Sequence, residues 1–278
     1  MLAFLSNFLQ KKGIDCFSPV PLSACRVEKP YLLERHGIKD GTAVMLAIPY
    51  YTPHCDRADR NISAYATSRD YHLFFKELYD ELLPLLKERF PSNRFAAFAD
   101  HSPISEVHAA SIAGLGVIGR NHMLLTGKYS SYVFLGEIVT DAILPAALHE
   151  VRECCGCGLC MKACPAEELG ICLSALTQKK GDLTPTEREA IKRFGSAWGC
   201  DICQKVCPHT KKAMADGTIY SPIEFFSVAA LPHPTHREIA DMSDPDFAER
   251  AFSWRGRNTV LRNLSILEDG EKGGDRPC

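Results

Sequence analysis

The fold of this chain is decided by residues 154–165, which read CCGCGLCMKACP. Four of these cysteines follow the spacing C-x2-C-x2-C-x3-C, namely Cys154, Cys157, Cys160 and Cys164. Bacterial ferredoxins use this run, closed by a proline, to bind one [4Fe-4S] cluster with three thiolates and a second cluster with the fourth. The stretch therefore predicts a ferredoxin-like module that holds two [4Fe-4S] clusters.

A second group of cysteines supplies the remaining ligands. Cys172 is followed by a C-x2-C-x3-C-P run that begins at Cys200, so the two groups contain the eight thiolates that two cubane clusters need. In the ferredoxin crossover, the first cluster is bound by Cys154, Cys157, Cys160 and Cys207. The second cluster is then bound by Cys164, Cys172, Cys200 and Cys203.

Structural zinc is the alternative interpretation, because C-x2-C pairs also form tetrahedral zinc sites. A run of three cysteines at two-residue gaps, closed by C-x3-C-P, favours cubane clusters instead. Cys155 is out of register and is predicted not to be a ligand. The unclustered cysteines are expected to be inert or surface thiols: Cys16, Cys25, Cys55 and Cys278.

The composition is that of a soluble globular protein. Of the 278 residues, 46% are hydrophobic and 24% are charged, and the net charge of -2 provides no overall basic field for nucleic acid. Residues 1–13, MLAFLSNFLQKKG, place the basic residues after the apolar ones, which reverses a secretory signal and predicts an amphipathic helix. No apolar run approaches the roughly 18 residues of a membrane span. Since the cysteines also cluster as metal ligands do, we expect a cytoplasmic protein.

Residues 1–148 are predicted to form an α/β domain. The apolar run Ala43–Pro49 predicts a buried strand. Ser68–Arg89 predicts a helix whose apolar face contains Leu73, Phe74, Leu78, Leu82, Leu85 and Leu86. Shorter predicted elements are a strand at Arg94–Phe98, a helix at His108–Ala113, and a hairpin-like pair of strands at Met123–Thr126 and Tyr132–Val139.

Residues 149–215 form the predicted cluster module, and residues 216–278 form a C-terminal segment that packs back on the core. Helices are expected around Pro245–Phe252 and Thr259–Ile266, whereas Glu268–Cys278 has the composition of a disordered tail. The whole chain is therefore assigned to the α+β class.

Several blocks resemble the epoxyqueuosine reductases, a family of corrinoid and iron-sulfur enzymes related in architecture to reductive dehalogenases. The blocks occur in the family's order between residues 30 and 265. Those before the cysteine module read SRDYH at 68–72, DHSPISE at 100–106, AGLGVIGRN at 113–121 and FLGEIVT at 134–140. The later ones read CLS at 172–174, GCDICQ at 199–204, WRGR at 254–257 and LRN at 261–263.

The resemblance implies an enzyme that reduces the epoxide of epoxyqueuosine in tRNA to the alkene of queuosine, with loss of water. It also implies cobalamin in the N-terminal domain, since clusters deliver electrons singly whereas cobalt can store two. The implied partners are the tRNA anticodon stem-loop as substrate and an external one-electron donor such as ferredoxin or flavodoxin. A monomer that does not bind a membrane is expected.

The resemblance implies that Asp100, in the D-x-x-P-x-x-E block, donates a proton to the opening epoxide. Burial beside an apolar corrin is expected to raise the pKa of this carboxyl so that it holds the proton. The residues alone favour a different role, because Asp100 or Ser102 precedes Glu106 in the pattern of a helix N-cap. The resemblance favours catalysis.

The glycines of the AGLGVIGRN block match the dinucleotide-binding fingerprint by letter, but they follow a helical stretch instead of a strand. We therefore predict no Rossmann fold, and expect the glycines to let the backbone approach the corrin or the substrate. The predicted cofactor-binding residues are Gly116, Gly119, Arg120 and Asn121, together with Arg69, Asp70, Tyr71 and His72. Residues of the latter block can also make purely local contacts at a helix start.

The sequence departs from the family in places. Val117 stands where members have a tryptophan, Arg120 replaces a lysine, and Cys207-Pro-His-Thr210 replaces C-P-W-N. Many members carry a C-terminal helical-repeat extension that helps to hold tRNA, and these 278 residues contain none. RNA binding, with an affinity that falls steeply with salt, would then depend on scattered basic residues that also suit a solvated face: Lys179, Lys180, Lys192, Arg193, Lys211, Lys212, Arg255, Arg257 and Arg262.

Two other functions remain open from the sequence. One is a non-catalytic iron-sulfur electron-transfer protein, although residues 1–148 exceed what a carrier needs. The other is a corrinoid-dependent reductase of a small molecule. A corrinoid absorption band in the reconstituted protein would exclude the carrier, and turnover on the stem-loop would exclude the small-molecule enzyme.

Overall fold

The structure is a computed structural model that describes residues 1–271. Its strands are β1 (Phe17–Pro21), β2 (Thr42–Pro49), β3 (Phe95–Phe98), β4 (Gly116–Ile118), β5 (Leu124–Thr126) and β6 (Val133–Thr140). Its helices are α1 (Leu2–Lys11), α2 (Pro30–Arg35), α3 (Tyr71–Arg89), α4 (Glu106–Ile112), α5 (Leu159–Ala163), α6 (Ala166–Leu169), α7 (Leu173–Thr177), α8 (Pro185–Phe194), α9 (Ile202–Lys205), α10 (Pro208–Ala215), α11 (His236–Asp241), α12 (Asp244–Ala248) and α13 (Arg257–Glu271).

Two compact units make up these residues. The first contains Met1–Tyr50, His72–Gly158 and Cys207–Ile223, and the second contains Tyr51–Tyr71, Leu159–Val206 and the residues from Glu224 onward. The units alternate along the chain, whereas the sequence analysis divided it into three consecutive domains. The difference arises because changes of pattern mark consecutive segments, while a compact unit is held together by residues that are distant in sequence.

The first unit contains an antiparallel sheet with strand order β1-β2-β6-β3. Every residue of β2 is buried, because its sequence TAVMLAIP is apolar nearly throughout. A continuous apolar strand is more typical of a parallel sheet, which is why the sequence predicted an α/β layer. That prediction is wrong for the N-terminal part, where the strands pair antiparallel, and the α+β class of the chain is confirmed.

The helix α3 packs one face against β6. At Gly136 of β6 an added Cβ would lie 2.5 Å from the Phe75 ring and 2.7 Å from Tyr79 Oη, so only glycine fits beneath the helix. The predicted apolar face is confirmed in part, since Leu85 is 38% exposed. Phe75 and Tyr79 are buried in its place, because the contact with β6 selects the face that they share.

The predicted hairpin between Met123–Thr126 and Tyr132–Val139 is wrong. Both segments contain strands, but β5 pairs with β4, and β6 pairs with β2 and β3. Alternation and β-branched residues predict that a segment is extended, but they do not identify its partner. The buried position of β6 between two other strands decided the pairing.

The second unit is built from helices around the fully buried side chains of Trp198, Phe252 and Val260. The predicted C-terminal helices are present as α12 and α13. Because α13 continues to Glu271, the predicted disorder is wrong over Glu268–Glu271. The remainder of that tail, including Cys278, lies outside the described residues.

Among residues 1–271, the structure has no helix that is both long and apolar enough to cross a membrane. The longest of them, α3, has 19 residues and charged side chains along its exposed face.

Candidate active site and cluster ligands

The predicted proton donor Asp100 lies in a tight turn just after β3. Its φ is 64°, in the left-handed region that L-residues rarely adopt but that aspartate and asparagine tolerate better than most. The N–H of His101 donates to the carbonyl of Ala99 at 2.7 Å across this turn. The Asp100 side chain is 69% exposed, and its Oδ2 lies 3.7 Å from Nε2 of His72. The turn therefore presents the carboxylate, and the protein's own residues do not supply its expected burial.

Three side chains hold this turn in place. The N–H of Asp100 donates to Oε1 of Glu106 at 3.2 Å. The ring nitrogens of His101 lie 3.3 Å from Nζ of Lys29 and 3.2 Å from Oη of Tyr31. A left-handed residue costs about 1–2 kcal/mol, and these contacts offset that cost.

The N-cap alternative for Asp100 and Ser102 is wrong. The N-cap of α4 is Ser105, and no side chain caps that helix through a hydrogen bond. The hydroxyl of Ser102 instead donates a hydrogen bond to Oε1 of the buried Glu137 at 2.5 Å. The D-x-x-P-x-x-E spacing thus builds a turn that is fastened by Glu106, rather than a capped helix.

Two buried carboxyl groups, those of Glu106 and Glu137, lie near the Asp100 turn. The sequence indicated only a helix-cap pattern for Glu106 and no role for Glu137. Burial raises the pKa of Glu106 to about 7; the negative charge of Asp100 contributes to this rise, and the hydrogen bond from the Asp100 N–H opposes it. Burial also raises the pKa of Glu137 well above its ordinary value, with Glu106 adding to the effect. Glu137 therefore favours the protonated form at neutral pH, and Glu106 titrates close to neutral pH. The sequence does contain one sign of a buried acid, because Glu137 lies in the middle of an otherwise apolar strand.

Replacing Glu106 with glutamine should reduce the pH dependence of stability. A carboxyl whose pKa is raised in the folded state stabilises fully below the unfolded value of 4.5, and this contribution is lost as pH rises through about 7. Between pH 5 and pH 8, the free energy of unfolding should therefore fall by about 2–3 kcal/mol more in the wild type than in the variant. Urea unfolding at the two pH values measures this difference.

The exposed Glu88 of α3 provides the control, since Glu88→Gln should leave the pH dependence of unfolding as it is in the wild type. Equal pH dependence in Glu106→Gln and wild type would show that Glu106 ionises normally in the folded protein.

The predicted cofactor-binding block at 69–72 is divided between the two units. Arg69 Nε pairs with Oε2 of Glu249 at 2.9 Å, and its guanidinium lies 4.8 Å from the Phe225 ring centre. The N–H of Asp70 donates to the carbonyl of Glu249 at 2.7 Å. These contacts give Arg69 and Asp70 a structural role within the second unit, and their binding role stays a prediction, as does that of Tyr71. His72 belongs to the first unit, near Asp100.

The glycine block has an explanation in its own packing. The helix α4 precedes Gly114, and Gly116 begins β4, so the absence of a dinucleotide fold here agrees with the prediction. An added Cβ would collide with the carbonyl of Leu125 at Gly116, and with Oδ1 of Asn121 at Gly119. Binding roles for Gly116, Gly119, Arg120 and Asn121 stay predictions, because close packing alone accounts for both glycines.

The predicted ligands of the first cluster are also divided. Cys154, Cys157 and Cys207 belong to the first unit, and Cys160 belongs to the second. The N–H of Cys154 donates to the carbonyl of Ile118 at 3.0 Å, which ties the start of the motif to β4. Gly156 and Gly158 have φ values of 68° and 74°, so the chain winds through left-handed turns between the cysteines.

The predicted ligands of the second cluster all lie in the second unit. Cys164 follows α5, Cys172 is the N-cap of α7, and Cys203 is on α9, which packs against α5. Burial raises the pKa of Cys200 to about 12, and the nearby Asp201, Cys203 and Cys172 contribute to the rise. Cys172 and Cys203 therefore lie in the neighbourhood of Cys200.

This donor set fits a cubane. All twelve cysteines of residues 1–271 are free thiols. In the same residues, no group of three or more His, Cys, Asp or Glu side chains is arranged to hold a single metal ion. The four thiolates of a cubane would bind four different irons. Bound iron also keeps a coordinating thiol deprotonated, which offsets the raised pKa of Cys200.

The remaining cysteines behave as unclustered thiols in the structure. Burial raises the pKa of Cys16 and of Cys25 to about 11, so both stay protonated at neutral pH. Cys55 is buried, and Cys155 is exposed. The prediction that Cys155 is not a ligand stays a prediction.

Partly buried apolar side chains flank the Asp100 turn along the chain and suit a corrinoid by their chemistry. Phe98, Val107 and Leu115 pack against the core of the first unit without being fully covered. A corrin presents a broad apolar ring with a polar amide rim, so apolar contacts next to hydrogen-bonding groups are what it requires. Arg120 and Asn121, which follow in the same unit, are donors of that kind.

Four of the nine basic residues predicted to contact RNA are paired with acids. Ion pairs join Lys179 to Glu187, Arg193 to Glu168, Lys212 to Asp216, and Arg257 to Asp244. These pairs are what a solvated face would show, and a role for these residues in RNA binding stays a prediction.

Comparison with known proteins points to one family. The family described as "Epoxyqueuosine reductase QueG, DUF1730" matches residues 39–101, which end just beyond Asp100. The epoxyqueuosine reductase of Gloeobacter violaceus is 33% identical over 218 residues, covering 74% of this chain and 68% of that protein. That of Listeria monocytogenes is 32% identical over 214 residues, covering 71% of this chain and 54% of that protein.

A solved structure agrees with these relatives. The crystal structure of an epoxyqueuosine reductase with a tRNA-Tyr epoxyqueuosine-modified stem loop superposes with a TM-score of 0.76 at 25% identity, covering 98% of this chain and 81% of that one. By comparison, this chain spans about half the length of the Listeria relative, of which 54% is covered. The expected likeness to reductive dehalogenases stays a prediction.

Proposed function

The chain belongs to the epoxyqueuosine reductase family, and we propose that it reduces the epoxide of epoxyqueuosine in tRNA to the alkene of queuosine. One observation carries the proposal. The Asp100 turn, held in the left-handed conformation by Glu106, presents an exposed carboxyl 3.7 Å from His72. An acid held in this way can donate a proton to an oxygen that leaves carbon.

The reaction consumes two electrons and two protons and releases water. Cobalamin, held beside the Asp100 turn, would supply the two-electron reductant, and two [4Fe-4S] clusters on the eight predicted cysteine ligands would supply single electrons. Asp100 gives a proton to the oxygen as the ring opens. His72 is placed to resupply that carboxyl, and a second proton converts the leaving hydroxide into water.

The raised pKa values of the two acids near the turn support this role for Asp100. Burial raises the pKa of Glu137 well above its ordinary value and that of Glu106 to about 7, so they add less negative charge near Asp100 than two fully ionised carboxylates would. The full charge of two buried carboxylates would be unfavourable beside an acid that becomes anionic when it gives up its proton.

The proposed substrate and partners rest on the likeness to the family. A solved relative is described with a modified tRNA stem loop, and we propose the same class of substrate here. We further propose a monomeric cytoplasmic enzyme that takes electrons from a ferredoxin or flavodoxin. Exposed lysines such as Lys180, Lys192 and Lys211 are available for phosphate contacts.

An anaerobic assay tests the proposed function. The full chain is reconstituted with iron, sulfide and cobalamin, and is given an epoxyqueuosine anticodon stem-loop with a strong reductant. We expect queuosine in the RNA by mass spectrometry, and none when cobalamin is omitted. Absence of product from a chain loaded with both clusters and cobalamin would contradict the proposal and favour a reductase of small molecules.

A further inference from the structure

A buried ion pair joins Arg60 to Asp201 within the second unit. Nη1 of Arg60 lies 2.7 Å from Oδ2 of Asp201, and the two side chains are only 3% and 2% exposed. Removing two charges from water is costly, and a buried pair often contributes no net stability compared with apolar residues. We therefore expect the role of this pair to lie in the residues that it holds in place, rather than in its contribution to the free energy of unfolding.

The carboxylate of Asp201 has a full set of donors. Besides Arg60, it accepts hydrogen bonds from the Ser63 hydroxyl and, at 2.8 Å, from the N–H of Ala64. Arg60 Nε in turn donates to the carbonyl of Cys55 at 3.0 Å. These contacts hold the Asp201 side chain in one position.

Asp201 stands between two predicted ligands of the second cluster. It is the N-cap of α9, which carries Cys203, and its carbonyl accepts from the N–H of Lys205 at 2.8 Å. Cys200 precedes Asp201, and its Sγ accepts a hydrogen bond from the N–H of Ile202 at 3.5 Å. Fixing Asp201 therefore fixes the backbone of both thiols.

The segment that contains Arg60 packs closely against the start of this motif. The N–H of Ser63 donates to the carbonyl of Trp198 at 2.7 Å. At Gly199, which has φ 72°, an added Cβ would lie 2.5 Å from Cβ of Ser63. Only glycine lets the segments around Ser63 and Gly199 approach so closely. This contact brings the ion pair next to Cys200.

We propose that the Arg60–Asp201 pair positions Cys200 and Cys203 and tunes the reduction potential of the second cluster. The inference rests on the clusters of the proposed function. Reduction adds a negative charge to a cluster, so a fixed carboxylate beside its ligands makes reduction harder, and a neighbouring cation makes it easier. The pair balances these two effects at one cluster only.

Asp201→Asn tests the inference. The amide keeps the size of the side chain and can still accept from Ala64, but it removes the negative charge that faces Arg60. In the reconstituted full chain, a redox titration followed by electron paramagnetic resonance should show one cluster with a raised potential and the other unchanged. The matched control is Asp244→Asn, which removes a 99% exposed carboxylate of the same unit and should move neither potential.

Ser63→Ala should act in the opposite direction. It removes one donor to Asp201 and so leaves the carboxylate more negative, which should lower the potential of the same cluster at full iron content. Should Asp201→Asn lose iron, loss of the second cluster alone would support the positioning role, and Ser63→Ala would still test the potential.

Three outcomes would overturn the inference. Unmoved potentials in both variants, with both clusters present, would reject the tuning role while leaving the proposed function intact. Equal shifts of both clusters would show a general change in the protein. A wild-type chain that holds only one cluster would instead reject the proposed electron relay, and this inference with it.

Discussion

Asp100→Asn should lower turnover on the modified stem-loop by at least about 100-fold, since a general acid typically contributes 10²–10⁴-fold to rate. Asparagine matches aspartate in size and also tolerates a left-handed backbone. The turn at φ 64° and its bond to Glu106 should therefore persist. The amide cannot release a proton to the epoxide oxygen, so single-turnover rates of the reconstituted enzyme measure the missing step.

The same preparation should keep its iron, its cobalamin and its affinity for the stem-loop. Asp80→Asn serves as the control, because it removes a 65% exposed carboxylate of α3 that pairs with Lys76, and it should leave turnover unchanged. If Asp100→Asn turned over at nearly the wild-type rate, Asp100 would not be the proton donor.

Cys203→Ala should remove the second cluster and, with it, turnover. The chain would then hold about half the iron of the wild type, because three remaining thiolates leave one iron of that cubane without a ligand. Alanine favours the helical conformation of α9, so the helix itself should form. Iron analysis, the visible absorption of the clusters and the stem-loop assay measure the result.

Cys155→Ala is the matched control for Cys203→Ala. Cys155 is exposed and lies within the motif but out of register, and its replacement should leave iron and turnover at wild-type values. Loss of a cluster in Cys155→Ala, or full iron in Cys203→Ala, would contradict the assignment of the ligands.

The sequence predicted helices and strands correctly where they depend on the residues of a single element. The helix α1, the strand β2 and the helix α4 lie where their apolar patterns place them, because periodicity reflects which side chains one element buries. Partner choice is not local. The strand β5 pairs with β4 rather than with β6, and no residue within β5 encodes that choice.

The candidate site shows the same division. The resemblance pointed to Asp100, but the cap pattern of the residues around it suggested a different and incorrect role. The structure shows that Glu106 binds the backbone of Asp100 and that Ser102 bonds Glu137, 35 residues away. Burial of those acids, which decides their protonation, is a property of the folded core.

The sequence by itself determined the family of this protein and predicted eight cysteine ligands, because thiolate spacing is a local constraint that cluster geometry imposes on the chain. Only the tertiary structure decided which residues surround those thiols and the Asp100 carboxyl. Arg60 and Asp201 are separated by 141 positions, and neither stands out in the sequence. Their pairing exists because folding removes both charges from water at one place, where each becomes the other's necessary partner.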